Sequence, residues 1–391
     1  MKIILTVAIC VVSLFGVNAM ASEQALLEQI SRNNKDIIHA QMNTEGEMLS
    51  ARSENNLPDP ELELEYMANP ANSLEMVVSE TVEWPGIYVS RRKELSYRMT
   101  AMEYLYEAKK VEVLRDARLA YVDLVNVNRQ ILRNTQILEL VKSILDKVEQ
   151  DTVVADYTVL DVMKLKVEAF DLASTVSELV IKKQALISNL ELMNGGLPLE
   201  NVDFDAGKYN ARLQSLSYYE EAFGNSPEAK AEYQQALADR HAVKTSKQGW
   251  LPSLTLGYKF AREDGMKVHG FVFGISLPIF SNRNKARAAK AFQTASYFGW
   301  EKRQFEAAGE VRVLYGELLS LEQSLEKYRD VIADSEDAMA YLDTALNEKS
   351  ITIIDYLSEY KYLLEAKSRL EDMEYDYNLK YVELSKYDLF Q

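Results

Sequence analysis

The sequence predicts a mainly α-helical protein with a small β part: long coiled-coil helices in two tandem copies, each interrupted by one β-hairpin. Three observations predict it. Pro58 and Pro252, Tyr121 and Tyr315, and Asp161 and Asp355 are each 194 positions apart, and one constant offset is the mark of an internal duplication. All eight prolines fall outside Ile87–Leu197 and Ile279–Gln391, so nothing stops a helix in either stretch. Residues 57–86 and 251–280 instead alternate apolar and polar side chains around a turn, which is the period of a strand.

The first element is expected to be removed. Lys2 precedes an apolar run from Ile3 to Val17, and "AMA" at Ala19–Ala21 offers small residues for cleavage after Ala21, the pattern of a secretory signal peptide over residues 1–21. A retained anchor fits less well, because the run is shorter than the roughly 20 residues a spanning helix needs. The single cysteine, Cys10, lies inside this segment after Ile9, too early and in the wrong company for lipidation. The mature chain is therefore expected to carry no thiol, disulfide or cysteine metal site. Losing Lys2 moves the formal charge from −16 to −17, which disfavours nucleic acid and anionic lipid surfaces as partners. No later segment is a continuous apolar run of spanning-helix length, so a membrane-embedded form has to use strands.

A helix is expected over about Ser22–Asn56, and its counterpart over about Ser226–Gln248, where Ser226 can cap and Pro227 take the first helical position. Strands follow at about 58–84 and 252–278. Long helices come next, at about Gly86–Gln150 and Asn282–Asn347, with Gly299, Gly309 and Gly316 weakening the second locally. Their apolar residues step by three and four. Val311, Leu314, Leu318, Leu321, Leu325, Tyr328, Ile332, Met339, Leu342 and Leu346 form one stripe, and Leu124, Val127, Ile131, Leu138, Val141, Leu145 and Val148 answer it in the first half. Such a stripe packs helices side by side in a supercoil, and about 65 helical residues extend for roughly 97 Å, which predicts a rod or a tube. After breaks at Gln150–Tyr157 and Asn347–Ile351, shorter helices fill about Thr158–Asn194 and Thr352–Asp388. The resulting organisation is a first repeat at 22–194, a linker at 195–225 read as a small irregular layer after the helix-ending Gly195-Gly196-Leu197-Pro198, and a second repeat at 226–391.

Within the hairpins Leu62, Leu64 and Tyr66 alternate with Glu61, Glu63 and Glu65. Leu254, Leu256, Tyr258 and Phe260 alternate with Ser253, Thr255, Gly257 and Lys259, and Phe271, Phe273, Ile275 and Leu277 alternate with Val272, Gly274 and Ser276. Strands of about ten residues suit a bilayer-crossing barrel wall with apolar residues outside and polar ones inside. A soluble sheet with one buried face has the same pattern. Four strands do not close a transmembrane barrel, so a membrane reading requires several chains in one barrel. Glu61, Glu63 and Glu65 are candidates for an acidic lumen, or for a merely wetted face. Trp84 and Trp250 are candidates for membrane-interface anchors, or for ordinary packing. The three histidines, His39, His241 and His269, are scattered, and no metal-ligand cluster, phosphate loop or nucleophile constellation stands out. No enzyme and no cofactor are expected.

Over essentially the whole mature chain the sequence resembles the TolC-like outer-membrane efflux proteins, most nearly their heavy-metal and cation efflux branch. The residues that carry the likeness are "LPDPELELEY", "SETVEWPG", "TVLDVMKLKVEAFDL", "SPEAKAEYQQALADR", "GWLPSLTLGY", "GISLPIFSNRNKARAAKA" and "TIIDYLSEYKYLLEAKSRL", in that order. The resemblance implies a homotrimer in the outer membrane of a Gram-negative cell. Each protomer would give four strands to one shared twelve-stranded β-barrel, and the helices would form a trimeric α-barrel in the periplasm. It implies a passive duct, served by a periplasmic adaptor and an inner-membrane pump of the RND or ABC type, that exports metal cations or small toxic compounds. The competing class is a soluble periplasmic coiled-coil scaffold or adaptor without a pore, which would normally carry one helical hairpin rather than two repeats.

The two breaks would be the periplasmic tips. Thr158 and Thr352 can each cap a helix, with Asp161 and Asp355 three positions on reaching back. The resemblance adds a gating role: the position of Asp161 helps lock neighbouring helices closed, and that of Asp355 lies at the narrowing ring, where threefold repetition would favour cations. The chain departs from the family pattern at Ala155 and Lys349, where glycine is usual, and at Ser358, where some members have a second aspartate and this chain follows with Glu359.

Overall fold

The computed structural model describes residues 22–68, 73–150, 158–209, 211–263, 265–348 and 350–390. The expected signal peptide, most of the first break including Ala155, and Lys349 lie outside the described residues.

In chain order the elements are α1 (22–33), α2 (Lys35–Ser53), β1 (Glu61–Met67), β2 (Ser73–Val82), α3 (Pro85–Gln150), α4 (Val159–Met193), α5 (Leu216–Gly224), α6 (Pro227–Gln248), β3 (Ser253–Glu263), β4 (Met266–Ser276), α7 (Lys285–Asn347), α8 (Ile353–Leu384) and a closing 3-10 turn (Lys386–Phe390). The long helices are unbroken: α3 runs for 66 residues from a proline at its first position, and α7 for 63 residues straight through its three glycines. The offset of the sequence repeat holds in the elements, since 194 added to the start of α4 gives the start of α8, and added to the start of α1 gives the start of α5.

Two expectations need correction. The first helix is not continuous to Asn56, because it ends at residue 33 and restarts as α2. Asn34 makes the break: its Oδ1 accepts hydrogen bonds from the backbone N–H of Asp36 (2.9 Å) and Ile37 (3.1 Å), capping α2, and its Nδ2 donates to the Met193 carbonyl (2.7 Å). The linker is not irregular throughout, because its last third forms α5.

The chain divides into two compact units. The first comprises Met1–Ile38, Lys110–Ala222 and Gly309–Gln391. Its core is helical, with Leu26, Ile30, Tyr121, Leu124, Val127, Leu318 and Leu384 buried. The heptad positions Val311, Leu318, Leu325 and Ile332 are all buried, whereas Leu314, Leu321 and Tyr328 are partly covered. A seven-residue period of fully buried side chains is the seam that packs against the neighbouring helices. A second cluster, Leu138, Val141, Ile144, Leu165, Leu172, Tyr356 and Leu357, joins α3, α4 and α8 near the breaks. The helix α4 ends in two glycines at positive φ. The Gly196 N–H reaches Glu191 O (2.9 Å) and the Gly195 N–H reaches Leu192 O (3.0 Å), a Schellman closure. At Gly195 a Cβ would lie 2.4 Å from the Asn33 carbonyl, so only glycine fits beside the α1–α2 break.

The second unit comprises His39–Lys109 and Phe223–Ala308. Among the described residues it holds the one sheet, four-stranded and antiparallel, ordered β1-β2-β3-β4, with parts of α2, α3 and α7 and the whole of α6. Where α3 and α6 meet beneath the sheet, the Ser90 hydroxyl donates to Gln248 Oε1 (2.7 Å).

Candidate membrane-wall sheet and helix caps

Register fixes which side chains share a face, because directly paired residues point the same way. The pairs Leu62↔Val78, Leu64↔Met76 and Tyr66↔Leu74 continue through Val78↔Tyr258, Met76↔Phe260 and Val82↔Leu254 to Leu254↔Ile275, Leu256↔Phe273 and Tyr258↔Phe271. One face is thus largely apolar across all four strands, interrupted by Glu80 opposite Leu256 and by Arg262, Lys267 and His269 toward the strand tips. Nothing in the described chain covers it: Leu64 is 63% exposed, Phe271 and Phe273 77% and Ile275 71%. A soluble sheet of this composition would bury that face against helices; here the sheet is a single layer.

The opposite face is mostly polar or small, with Val77, Val268 and Val272 among its residues. Glu61, Glu63 and Glu65 stand on it, and the pairing Glu65↔Glu75 adds Glu75, which the sequence reading missed. Folding the hairpin about its turn places Glu75 there, so the signal was present but required the register. Lys259 forms an ion pair with Glu75 across the strands, and the Thr81 and Thr255 hydroxyls share a hydrogen bond of 2.8 Å. Glycine keeps this face tightly apposed. A Cβ at Gly257 would sit 2.8 Å from Ser79 Cβ, and one at Gly274 would sit 3.1 Å from Thr255 Cβ. Both approaches are shorter than the usual cross-strand Cβ separation of about 4.5–5.5 Å, as expected where a sheet curls toward its small-residue face. Trp84 and Trp250 lie just beyond the helix-proximal strand ends, 41% and 48% exposed.

β1 and β4 are the sheet edges and have no strand on their outer sides among the described residues. Long open edges invite further strands. An uncovered apolar face and two unpaired edges are what a segment of a larger barrel presents when taken alone.

The cap residues lie in the other unit. At the start of α4 the Thr158 Oγ1 accepts from the Asp161 N–H (3.2 Å), while Asp161 Oδ2 accepts from the Thr158 N–H (3.0 Å) and hydroxyl (2.6 Å). This is a reciprocal capping box with aspartate in the glutamate place. The hydroxyl and the backbone N–H of Thr158 hold the exposed Asp161 carboxyl below its ordinary range. At α8 the Thr352 Oγ1 accepts from the Asp355 N–H (3.1 Å) and donates to Asp355 Oδ2 (2.6 Å). Ser358 and Glu359 are exposed one turn further on. Beneath the caps Lys361 pairs with Glu168 (2.5 Å) and Tyr356 stacks on Tyr360.

Solved structures of low sequence identity share this architecture. A membrane protein from Pseudomonas aeruginosa superposes with a TM-score of 0.78 at 15% identity, covering 94% of this chain and 90% of its own. CusC, described in terms of folding and transmembrane channel formation, gives 0.76 at 14% identity, covering 94% and 92%. The MtrE outer-membrane channel of Neisseria gonorrhoeae, solved in its open state, gives 0.76 at 14% identity, covering 94% and 88%. No family model and no curated protein matches the sequence. The chain therefore has the fold of the TolC-like outer-membrane channels, the fold that its sequence resemblance implies.

Proposed function

We propose that this protein is the outer-membrane channel of a tripartite efflux system, a passive homotrimeric duct without catalytic chemistry. The observation that carries the reading is the single-layer sheet, with its largely apolar face uncovered and both edges open among the described residues. Three copies joined edge to edge supply twelve strands, which removes the open edges, turns the apolar face to lipid and encloses the polar face around water. Low-identity likeness to outer-membrane channels supports the same assembly.

In this assembly Glu61, Glu63, Glu65 and Glu75 face the lumen, and Trp84 and Trp250 lie at the membrane interface. The repeats at 22–194 and 226–391, with the linker at 195–225, build the helical conduit. Asp161 and Asp355, held by Thr158 and Thr352, stand at its narrow end, where three copies of each carboxylate favour cations. A periplasmic adaptor links the duct to an inner-membrane pump of the RND or ABC type, and the cargo is metal cations or small toxic compounds. Export by a cleaved signal peptide, without lipidation, brings the chain to the outer membrane.

The test is mass determination and electron microscopy of the mature protein extracted in detergent, followed by planar-bilayer recording. Threefold particles of three chains that conduct, with cations preferred, are the expected result. A monomer soluble without detergent and silent in bilayers would replace the duct with the pore-less scaffold.

A further inference from the structure

The sheet ends near the helices in two successive belts of different chemistry. The first is apolar. Trp84, Trp250, Leu251, Leu277, Ile279 and Phe280 are all exposed, Phe280 by 85%. Leu277 follows Phe271, Phe273 and Ile275 in alternation just past the end of β4, and Trp84 lies two residues past Val82 at the end of β2. The second belt is basic. Arg92 and Lys93 on α3, Lys244 and Lys247 on α6, and Arg283, Lys285, Arg287 and Lys290 at the entry to α7 are exposed. Residues 281–300 hold those last four cations and no acid, although the whole chain carries a formal charge of −16. Among the described residues none of Arg283, Lys285 and Arg287 makes an ion pair.

Between the belts lies a cavity of about 480 Å³, lined by Leu251, Leu277, Phe280, Ser281, Glu83 and Lys285 among others. Glu83, the acid on its wall, is paired with Arg91 at 2.7 Å, which leaves the Lys285 ammonium as the uncompensated charge there. A recess of mixed lining, with Leu251, Leu277 and Phe280 beside hydroxyl and ammonium groups, has the chemistry of a lipid headgroup site: the upper acyl chain against Leu277 and Phe280, the phosphate against Ser281 and Lys285.

We propose that this collar binds anionic phospholipid, seating its phosphate at Lys285, with Arg283 and Arg287 of the same segment adding positive charge to the collar. The inference rests on the membrane-channel reading and names the lipid of the leaflet nearest the helices. The alternatives are separated by charge. A zwitterionic lipid would pack against Leu277 and Phe280 equally well but would gain little from unpaired cations, whereas each cation near an anionic surface contributes about 1 kcal/mol, a factor of about five.

The test reconstitutes the full mature protein in vesicles and reads tryptophan fluorescence, with a W84F/W250F variant giving the Trp300 background. Dibrominated phosphatidylglycerol diluted in plain phosphatidylcholine should quench at least about fivefold more effectively than dibrominated phosphatidylcholine diluted in plain phosphatidylglycerol. The preference should vanish in R283Q/K285Q/R287Q, persist in K285R, and be unaffected by excess inorganic phosphate. Equal quenching by the two lipids overturns the inference, as does an unchanged preference in the triple variant. If the triple variant instead loosens the oligomer without altering quenching, the collar is a contact between copies and the lipid site falls. Channel recording in the same lipids keeps the two levels apart: conduction without lipid preference sinks the collar alone, and failure to insert or conduct sinks the channel reading and the collar with it.

Discussion

Arg118 in α3 and Arg312 in α7 stand 194 positions apart, at matching places in the two repeats, and each meets a glutamate. Their surroundings differ. The Arg118 side chain is 8% exposed; it donates to Glu23 Oε1 (2.6 Å), the Tyr209 hydroxyl (3.0 Å) and Ser385 Oγ (3.1 Å). Burial works against its charge, yet Tyr209 and Glu23 hold the guanidinium above its ordinary value, and burial pushes the Tyr209 hydroxyl up as well. The Arg312 side chain is 67% exposed and meets Glu220 at 2.9 Å. Duplication supplied the same residue twice, and only the copy enclosed by the first turn of α1, the linker and the end of α8 has become a structural node.

This comparison gives the largest expected effect. Replacing Arg118 with alanine strands the largely buried Glu23 carboxylate and should cost about 3–5 kcal/mol, whereas the same change at Arg312 should cost about 0–1 kcal/mol. Thermal unfolding followed by circular dichroism in detergent reads both. The double change E23L/R118M should recover most of the loss, since apolar groups of similar volume replace a buried pair at little cost. Equal shifts for R118A and R312A would mean that burial does not distinguish the two sites.

The helix breaks before the two hairpins sharpen the contrast. In the second repeat Ser226 accepts from the Ala229 N–H (3.3 Å) and Pro227 starts α6, so the boundary is written locally. In the first repeat Asn34 caps α2 and also satisfies the Met193 carbonyl at the far end of α4. N34A should therefore lose a cap worth about 1 kcal/mol and also unpair a partly buried carbonyl, while S226A loses only the cap. Unfolding midpoints that rank N34A below S226A are expected, and the reverse order would make the Met193 contact incidental.

These sites mark what the sequence reveals. Proline and glycine punctuate locally, so the long helices, both hairpins and the capped starts at Thr158 and Thr352 are legible, as is the alternation that separates the faces of the sheet. The Asn34 break is not, because asparagine within a helical pattern signals an end only when another segment completes its hydrogen bonds, here one 159 residues away. The Arg118 node escapes for the same reason, since its partners Glu23 and Tyr209 lie 95 and 91 residues away. Glu75 falls between: alternation marks a strand, but only the pairing shows that it joins Glu65.

Two glycines on the polar face of the sheet should behave unequally. At Gly257 an added Cβ meets Ser79 Cβ at 2.8 Å and Val78 O at 2.9 Å, whereas at Gly270 nothing lies within 4 Å. G257A should destabilise the assembled barrel by about 1–3 kcal/mol through overpacking, and G270A by much less. The temperature at which the oligomer dissociates on a gel provides the comparison. Equal tolerance would argue that this face is not the tight inner side of a curled sheet.

The smallest effects belong to the two caps, where structure and gating are entangled. Asp161 and Thr158 satisfy each other's backbone N–H groups, whereas at α8 the Thr352 and Asp355 side chains bond each other and, of the two backbone N–H groups, the Thr352 hydroxyl satisfies that of Asp355. T158A should thus speed amide exchange in the first turn of α4 more than T352A does in α8. Because Asp161 has a lowered folded-state pKa, its contribution is present above the ordinary carboxylate value and is lost as pH falls through the lower one. D161N should remove that acid sensitivity and raise exchange already at neutral pH. Conductance measured on the same protein separates the roles of the carboxylate. If D161N opens the channel while exchange in α4 stays unchanged, Asp161 acts directly on the gate. If exchange and conductance rise together, and T158A raises both with the carboxylate still in place, the cap holds the tip shut by holding the helix start.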